Sequence, residues 1–399
     1  MQTENNKITF HPADRISSIE PYFFSILNKK IQQLKSQKID VIRIDMGSPD
    51  LPPPSSIIDV MIETARKNDT HGYTPYGGTK AFHQAISVYY KNRFNVDLIP
   101  QVETLALIGS KEGLYNLTMA LVNPGDVVLY PDPGYSVYRT AALIAGADAY
   151  PMPLISSNQY LPDLDQIPSA VFEKTKLLWL NYPNMPTGSI APLEFFEKAI
   201  WFGRKYGFVI AHDNPYADIC FGSYKAPSIL QISGSTDVVV EFNSLSKTYN
   251  MAGWRLGMLV GNSQVVQYVD NIKSQMDSGH FEAILQSGIY ALTSDQSWIQ
   301  ERNKIYEERR DIVLLAIRSL GFFAETPPAS LYVWAKLPES ISSSMDFCSN
   351  VLEKTGVSMT PGVVFGQSGE GYIRISLGTA TPRIKEAMDR LIGWFDRQE

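Results

Sequence analysis

A lysine that could do covalent chemistry lies in the segment Ser244–Gly257, which reads SLSKTYNMAGWRLG. Lys247 follows a short apolar run that ends at Phe242, so the pattern predicts it near the carboxyl end of a parallel strand, where α/β proteins bind ligands. In an aromatic and glycine-containing loop the amine can be partly desolvated, which favours its neutral form. A neutral lysine amine can form a Schiff base with an aldehyde. On this segment alone, an ordinary surface lysine in a loop is an equally good interpretation.

A carboxylate and a tyrosine follow another predicted strand, Phe208–His212. Asp213 comes directly after that strand, and Tyr216 stands three residues later. A carboxylate at a strand end can pair with the protonated nitrogen of a pyridine ring, which keeps such a cofactor acting as an electron sink. The structural alternative is that Asp213 caps a helix before Pro215.

A glycine-containing turn, Gly109–Gly113, reads GSKEG between a predicted strand and a helical stretch. Free amides at the start of a helix can bind phosphate, although a plain strand-to-helix turn would have the same pattern. Each of the three segments is moderately specific alone. Their order and spacing together are not easily explained by chance.

The elements that must position these groups alternate between strands and helices. An amphipathic helix is predicted at Leu193–Tyr206, and the predicted strands are Thr104–Ile108, Val127–Tyr130, Lys176–Asn181, Phe208–His212, Val238–Phe242 and Met258–Gly261. This alternation predicts βαβ units, with a mostly parallel sheet covered by helices on both faces. Beyond residue 290, the pattern instead predicts a long helix that stops at Gly321, two strands at Ser330–Lys336 and Tyr372–Leu377, and a closing amphipathic helix.

Composition excludes several classes of protein. Of the 399 residues 44% are hydrophobic and 19% are charged, with a formal net charge of −6, which excludes a disordered chain and disfavours a nucleic-acid-binding surface. Two cysteines, Cys220 and Cys348, are too few for a disulfide framework and fit a reducing compartment. The first fifteen residues lack the apolar core of a signal peptide, and no stretch approaches the roughly 18 apolar residues of a membrane span. We therefore expect a cytoplasmic protein without nucleic-acid or membrane partners.

Common site motifs are absent from the sequence. It contains no GxGxxG, GxxxxGK[ST], HExxH or GxSxG pattern, so nothing indicates nucleotide binding, zinc hydrolysis or an α/β-hydrolase. Five scattered histidines and two distant cysteines predict no metal site.

Seven passages carry a resemblance to a known family: Pro21–Phe24, Gly47–Pro52, Gly109–Gly113, Asn123–Asp126, Pro131–Tyr135, Ser244–Lys247 and Gly369–Ser376. In them the chain resembles the class I/II pyridoxal-phosphate (PLP) aminotransferases, and most of all the LL-diaminopimelate aminotransferase group. The resemblance implies the type I PLP-transferase fold, an α/β architecture. It divides the chain into an N-terminal arm with part of the small domain (1–49), a large PLP-binding domain with a mostly parallel sheet (50–290), and a small α+β domain (291–399).

The resemblance also implies roles for the residues that bind PLP. Lys247 would hold the cofactor covalently and move the proton between the substrate Cα and cofactor C4′. Asp213 would bind the ring nitrogen, Tyr216 would donate to the ring oxygen O3′, and Tyr135 would stack on the ring unless it is a core tyrosine. The phosphate would be held by the amides of Ser110 and Lys111, the Ser244 hydroxyl and the Arg255 guanidinium.

Substrate and subunit contacts follow from the same resemblance. Arg374 would bind the α-carboxylate bidentately, and its alternative is a strand-edge arginine without a ligand. Gly47 would offer its backbone, Tyr22 would contact the substrate or anchor the domains, and Lys111 could also bind a distal carboxylate. Tyr73 matches the tyrosine that reaches the phosphate of the neighbouring subunit, which implies a homodimer with shared sites.

One position departs from the family pattern. The chain reads NYPNMPTG from Asn181 to Gly188, so Met185 stands where the family has an asparagine that donates to O3′ and to the substrate carboxylate. A thioether cannot donate a hydrogen bond. We expect weaker carboxylate binding and a higher pKa of the cofactor-bound Lys247 nitrogen, unless Asn181 or Asn184 shifts to compensate.

The predicted function is a PLP-dependent aminotransferase with a ping-pong mechanism, acting on LL-diaminopimelate or glutamate with tetrahydrodipicolinate and 2-oxoglutarate as the matching partners, in lysine biosynthesis. No arginine is placed for a side-chain carboxylate, which disfavours a dedicated aspartate enzyme. The alternatives are the same reaction on alanine, aspartate, methionine or aromatic substrates, or C–S β-elimination through the same lysine and aspartate. A non-catalytic PLP-binding module is disfavoured because no basic helix-turn-helix segment precedes residue 15 or follows residue 390.

Overall fold

The computed structural model describes residues 10–397, and in that part of the chain it has fourteen α-helices and twelve strands. The helices are α1 (Asp14–Ser17), α2 (Phe23–Ser36), α3 (Ser55–Ala65), α4 (Lys80–Phe94), α5 (Ser110–Leu121), α6 (Ser136–Ile144), α7 (Ser169–Phe172), α8 (Leu193–Tyr206), α9 (Leu245–Thr248), α10 (Ser263–Lys273), α11 (Glu282–Thr293), α12 (Trp298–Ser319), α13 (Ser344–Thr355) and α14 (Thr381–Phe395). The strands are β1 (Ile42–Arg43), β2 (Thr104–Leu107), β3 (Val127–Asp132), β4 (Asp148–Pro153), β5 (Thr175–Leu180), β6 (Val209–Asp213), β7 (Val239–Ser244), β8 (Gly257–Gly261), β9 (Tyr332–Lys336), β10 (Val357–Ser358), β11 (Thr360–Pro361) and β12 (Tyr372–Ser376).

A seven-stranded sheet in the order β2-β8-β7-β6-β5-β3-β4 forms the centre of the molecule. Strand β8 runs antiparallel to both neighbours, and the other pairings are parallel. The prediction of a mostly parallel α/β sheet is confirmed, and the six predicted strands lie in it. Strand β4 was not predicted because Pro151 and Pro153 interrupt its pattern, and such prolines are tolerated at the sheet edge where β4 lies.

Both faces of this sheet are buried, as the continuous apolar runs require. In β5, Leu178 and Leu180 pack with α4, α8 and α11, whereas Leu177 and Trp179 pack with α5, α6 and α10 on the opposite face. This alternation is the period of two of a strand covered by helices on both sides. The carboxyl ends of β6 and β7, where Asp213 and Ser244 lie, are thereby held in one rigid row.

A second layer is built from the C-terminal part of the chain. Strands β11, β12 and β9 form an antiparallel sheet in that order, and α12, α13 and α14 pack beside it. The two-residue strand β1 pairs with β10, so the chain near Ile42 joins the core of this second layer. The long predicted helix is α12, and its stop at Gly321 is confirmed by the left-handed φ of +79° there.

No helix among residues 10–397 is both long and apolar enough to span a bilayer.

Candidate active site

A cavity of about 440 Å³ lies between the carboxyl ends of the central strands and the second layer. It brings together residues that are far apart in the sequence. Of the predicted site residues, those lining it are Tyr22, Gly47, Ser110, Lys111, Tyr135, Met185, Asp213, Tyr216, Ser244, Lys247, Arg255 and Arg374. Tyr73 is not among the lining residues, and 93% of its surface is exposed.

Lys247 enters this cavity from α9, a single turn that begins directly after β7. The Ser244 hydroxyl caps that turn by accepting from the Ser246 amide at 3.2 Å. The Lys247 Nζ donates to the Gly47 carbonyl. Burial, with the positive charges of Arg374 and Arg255, lowers the pKa of Lys247 to about 8. At pH 7 such an amine is neutral in roughly a tenth of the molecules, far more than for a free lysine.

Asp213 ends β6 with its two carboxylate oxygens in different situations. Its Oδ2 accepts from the Tyr138 hydroxyl at 2.7 Å, whereas its buried Oδ1 has no hydrogen-bond partner. Burial raises the pKa of Asp213 to about 6, against the lowering effects of Tyr138, His212 and Lys247. An unpartnered buried acceptor costs about 1–3 kcal/mol, so a ligand with a protonated ring nitrogen would relieve it.

Another part of the cavity, at the start of α5, suits a phosphate. Gly109 has a φ of +69°, and a Cβ there would lie 2.0 Å from the Nη2 of Arg255, so the guanidinium reaches the start of α5 only because this residue is glycine. Ser110 and Lys111 are the first two residues of α5, whose free amides favour an anion. Burial and the charge of Arg255 lower the pKa of Lys111, as expected for two cations that share a site without an anion.

Arg374 provides a buried positive charge on β12, the central strand of the second sheet. Its Nη2 donates to the Asp45 carbonyl at 2.6 Å, its Nη1 lies 3.4 Å from the Met185 sulfur, and its Nε has no partner. The aromatic rings of Tyr332 and Phe365 lie 4.4 and 4.7 Å from its guanidinium carbon. No acidic side chain of residues 10–397 neutralises it, since the adjacent Asp45 pairs with Arg43. A ligand carboxylate would supply the missing charge.

The turn around Met185 shows how the departure from the family pattern is accommodated. Asn181 donates to the Asp213 carbonyl at 2.6 Å and accepts from the Met185 amide at 2.8 Å. Asn184 donates to the Asn181 carbonyl at 3.1 Å and accepts from Thr187. Both amides therefore hold the turn. Asn181 also lines the cavity, but its amide nitrogen is bonded to the Asp213 carbonyl, and Asn184 is not among the lining residues.

Two further tyrosines, which no motif in the sequence marks, support the site. Tyr138 lies in the first turn of α6, three residues after Tyr135, which caps that helix, and this spacing is the signal that could have placed the two rings near each other. The Tyr332 hydroxyl lies 2.9 Å from the Tyr216 hydroxyl. A Cβ on Gly47 would lie 2.2 Å from the Tyr332 hydroxyl, so glycine is needed for this close approach.

These features fit PLP on two structural observations: the orphaned Asp213 Oδ1 and the glycine-dependent cradle beside Arg255, which line the same cavity. Lys247, whose lowered pKa leaves part of its amine neutral at pH 7, lines the same cavity. When bound, PLP supplies an aldehyde that exchanges with amines and a ring that withdraws electrons from the substrate Cα.

Comparison with known proteins agrees with this geometry. Residues 39–391 match the family model described as aminotransferase class I and II. The chain is 44% identical to an LL-diaminopimelate aminotransferase of Moorella thermoacetica over 95% of this chain and 97% of that protein. It is 45% identical to the LL-diaminopimelate aminotransferase of Halothermothrix orenii, with the same coverage.

Solved structures are similar over almost the whole chain. Substrate-bound BacF from Bacillus subtilis superposes with a TM-score of 0.92 at 35% identity, covering 97% of this chain and 98% of that one. A probable N-succinyldiaminopimelate aminotransferase from Thermus thermophilus gives a TM-score of 0.87 at 34% identity over 92% and 98% of the two chains. The chain therefore belongs to the class I and II aminotransferases and is a PLP-dependent transaminase that exchanges amino groups between amino acids and 2-oxo acids.

Proposed function

We propose that the amino donor is an L-amino acid with a second acidic group far from its Cα, LL-diaminopimelate or glutamate, and that 2-oxoglutarate or tetrahydrodipicolinate is the matching partner, in lysine biosynthesis. The observation that carries this is a pair of cations, Arg374 and Lys111, lining one cavity without acidic partners among residues 10–397. The Tyr22 ring lies 5.0 Å from the Lys111 Nζ. Burial raises the pKa of Tyr22, and the positive charge of Arg374 opposes this rise. The names of the relatives at 44–45% identity support the same substrate.

The side chains divide the work of the reaction. Arg374 binds the α-carboxylate and so orients the substrate Cα. Lys247 would hold the cofactor through its amine and, once free of it, would move the proton from the substrate Cα. Asp213 stays ionised against the ring nitrogen, and Tyr216, held by Tyr332, donates to O3′. The aromatic shell around Arg374 excludes water, which strengthens its interaction with the carboxylate.

The substrate proposal is tested by the visible spectrum of the purified protein with single donors. LL-diaminopimelate or glutamate is expected to convert the bound cofactor to its amine form, and alanine, aspartate and methionine are expected to do so less well. Lys111→Met should raise KM for the acidic donor about tenfold, because it removes one charge-assisted hydrogen bond, and leave KM for alanine unchanged.

Two results would contradict the substrate proposal. Equal changes of KM for the acidic donor and for alanine would restrict Lys111 to the phosphate. Pyruvate released from cysteine without an acceptor, while no donor converts the cofactor, would indicate the C–S lyase. Lys225→Met, which removes an exposed lysine elsewhere, is the matched control.

Met185 offers a second test, because the substitution restores the donor that the family pattern has. Met185→Asn is expected to lower KM for the amino donor about tenfold and to lower the pKa of the cofactor-bound Lys247 nitrogen, since the amide can donate to the carboxylate and to O3′. Steady-state kinetics and a spectrophotometric pH titration measure the two effects. Met185→Leu removes the sulfur without adding a donor and should change neither. A titration and a KM that both stay at the wild-type values in Met185→Asn would contradict this role.

We further propose a homodimer whose subunits share their active sites. The support is a cluster of exposed apolar side chains outside the cavity: Tyr73 is 93% exposed, Tyr76 is 51% and Met276 is 64%. The segment that carries the two tyrosines is fixed in place, because the Thr74 hydroxyl donates to the His280 carbonyl at 2.6 Å. In a homodimer this cluster would be covered and Tyr73 could reach the partner's phosphate.

Mixing two defective variants tests the shared site. Tyr73→Phe is expected to weaken PLP binding several-fold, because a hydrogen bond to the phosphate is lost. Refolding it together with Lys247→Ala should restore wild-type affinity to a fraction of the sites, because the Lys247→Ala subunit supplies an intact Tyr73 to its partner. PLP titration of the mixture, with sedimentation as a measure of size, gives the result. A monomer, or a mixture that binds PLP no better than Tyr73→Phe alone, would contradict the proposal.

The division of the chain into 1–49, 50–290 and 291–399 also remains a proposal, and its residues 1–9 and 398–399 lie outside the described part. It is supported by the two separate layers around the central sheet and around β12.

A cytoplasmic location is proposed as well, supported by the free thiols of Cys220 and Cys348.

A further inference from the structure

Helix α12 presents a buried stripe of two arginines and a tyrosine to the rest of the molecule. Arg302 and Arg309 are 3% and 2% exposed, and Tyr306 between them is fully buried. Their spacing of four and three residues places them on one face of the helix. The Tyr306 ring centre lies 5.9 Å from the guanidinium carbon of Arg302 and 5.4 Å from that of Arg309, so it separates the two charges.

Arg302 contacts the turn that carries Lys247. Its Nη1 donates to the Lys247 carbonyl at 3.0 Å and also to the carbonyl of Thr248, which is the last residue of α9. Its Nη2 donates to the Asp218 carbonyl at 2.7 Å, in the loop that follows Asp213. This guanidinium has no carboxylate partner in the described structure, and its charge is instead directed at the carbonyl end of α9.

Arg309 contacts the other end of the substrate site. Its Nη1 and Nη2 bind the two carboxylate oxygens of Asp50 at 2.7 and 3.0 Å, three residues after Gly47. The same Nη1 donates to the Leu377 carbonyl at 3.0 Å, three residues after Arg374. One guanidinium thus joins the segment that accepts from the Lys247 amine to the strand that carries Arg374.

We propose that α12 is a spacer that sets the separation between the reacting amine of Lys247 and the carboxylate-binding guanidinium of Arg374, with Arg302 and Arg309 as its positioning residues. Seven residues of α-helix give a rise of about 10 Å that is difficult to compress. One rigid element therefore fixes the positions of both the turn that carries Lys247 and the strand that carries Arg374. The inference rests on the roles proposed above for Lys247 and Arg374. It goes beyond them because neither arginine of α12 lines the cavity.

The two positions are expected to fail in different ways, and a merely structural anchor would not. Arg302→Lys keeps the charge but loses the planar guanidinium that donates to several carbonyls at once. It should therefore lower kcat about tenfold and shift the pH midpoint of the bound cofactor's absorbance, with little change of KM. Arg309→Lys should raise KM for every amino donor about tenfold and leave that midpoint at the wild-type value.

The neighbouring Arg310 provides a matched control. It is 8% exposed, and it donates to the Pro327 carbonyl at 3.3 Å and binds Glu307 and Asp311, away from both ends of the site. Arg310→Lys should lower Tm as much as the other two variants but change neither the midpoint nor KM. Should Arg309→Lys fail to fold, Asp50→Asn, at a partly exposed carboxylate, should reproduce its effect on KM.

The outcomes separate the inference from the proposed function. Lys247→Ala and Arg374→Lys are measured in parallel, and the roles on which the inference rests fail if the first keeps a covalently bound cofactor or the second keeps its KM. If those two behave as proposed, the spacer is overturned when Arg302→Lys and Arg309→Lys both match Arg310→Lys, or when both change kcat, KM and the midpoint together. The opposite pattern, a midpoint shift at one position and a KM rise at the other, supports it.

Discussion

Replacing Lys247 with alanine is expected to lower the transamination rate by at least about 10³-fold, because the proposed mechanism gives this one side chain both the anchoring of the cofactor and the transfer of the proton at the substrate Cα. The variant should still fold, since the amine makes one hydrogen bond, to the Gly47 carbonyl, and the backbone carbonyl of Lys247 still accepts from the Arg302 guanidinium. It should also bind PLP without a covalent bond, through the contacts of Asp213 and Arg255.

The measurement is the mass of the protein after borohydride reduction in the presence of PLP. Wild type should gain one cofactor mass on the peptide that contains Lys247, and Lys247→Ala should gain none. Lys111→Met is the matched control, because it removes the other lysine of the cavity and should still be modified. A cofactor found on a different lysine in wild type would refute the assignment.

The pH dependence of cofactor uptake follows from the same residue. Burial and the charges of Arg374 and Arg255 lower the pKa of Lys247 to about 8, so the neutral amine that attacks the aldehyde accumulates as the pH rises through 8. The rate of covalent uptake by the apo protein should therefore rise with pH and level off above about 9, whereas an unperturbed lysine would still be rising. A rate that continues to increase to pH 10 would indicate that the amine is not desolvated as the geometry requires.

The sequence predicted the ends of the central strands well, and with them the residues that those ends carry. Asp213 and Ser244 close β6 and β7, and their position follows from apolar runs bounded by polar residues. Such runs are decided by local periodicity, which a single sequence displays. Strand β4 was not predicted, because its prolines are tolerated only at the edge of a sheet and no local sequence pattern shows that β4 lies there.

The hydrogen-bond partners of the supporting residues could not be predicted because they are distant in the sequence. Tyr138 and Asp213 are 75 residues apart, Tyr216 and Tyr332 are 116, and Arg309 and Asp50 are 259. Each of these side chains looks like an ordinary core tyrosine or surface arginine until the tertiary fold brings its partner near. The periodicity of α12 predicts a helix, but not that its buried face carries guanidinium groups to both ends of the site.

Asp213→Asn is expected to reduce the activity about 10³-fold while it increases the stability of the apo protein. An amide carries no negative charge, so it could not pair with a protonated ring nitrogen as we propose for Asp213, and the electron sink of the cofactor would be weakened. In the apo protein the same carboxylate is buried with Oδ1 unpartnered, and its pKa is raised to about 6. Asp213→Glu keeps the negative charge on a longer side chain and should recover part of the activity. It therefore distinguishes the effect of removing the charge from the effect of changing the shape of the side chain.

The sign of the stability effect follows from linkage. A group whose pKa is higher in the folded than in the unfolded state stabilises the protein below its unfolded pKa, and this contribution is lost as the pH rises through the folded value. Between pH 4 and pH 7 the apo wild type should thus lose about 2–3 kcal/mol of unfolding free energy at Asp213, given a rise from 3.8 to about 6. Asp213→Asn should lack this loss and have the higher Tm at pH 7.

Thermal unfolding of the two apo proteins at pH 5 and pH 7, with kcat measured on the PLP-loaded forms, completes the test. Tyr138→Phe is the control: it leaves the carboxylate in place but removes the 2.7 Å hydrogen bond, so it should lower activity less and should not raise Tm. If the Asp213→Asn apo protein were less stable than wild type, the carboxylate would be stabilised by the fold itself and would not be left unpartnered for a ligand. A variant that gains stability as it loses catalysis would instead place Asp213 among residues kept at a cost to the fold for their function.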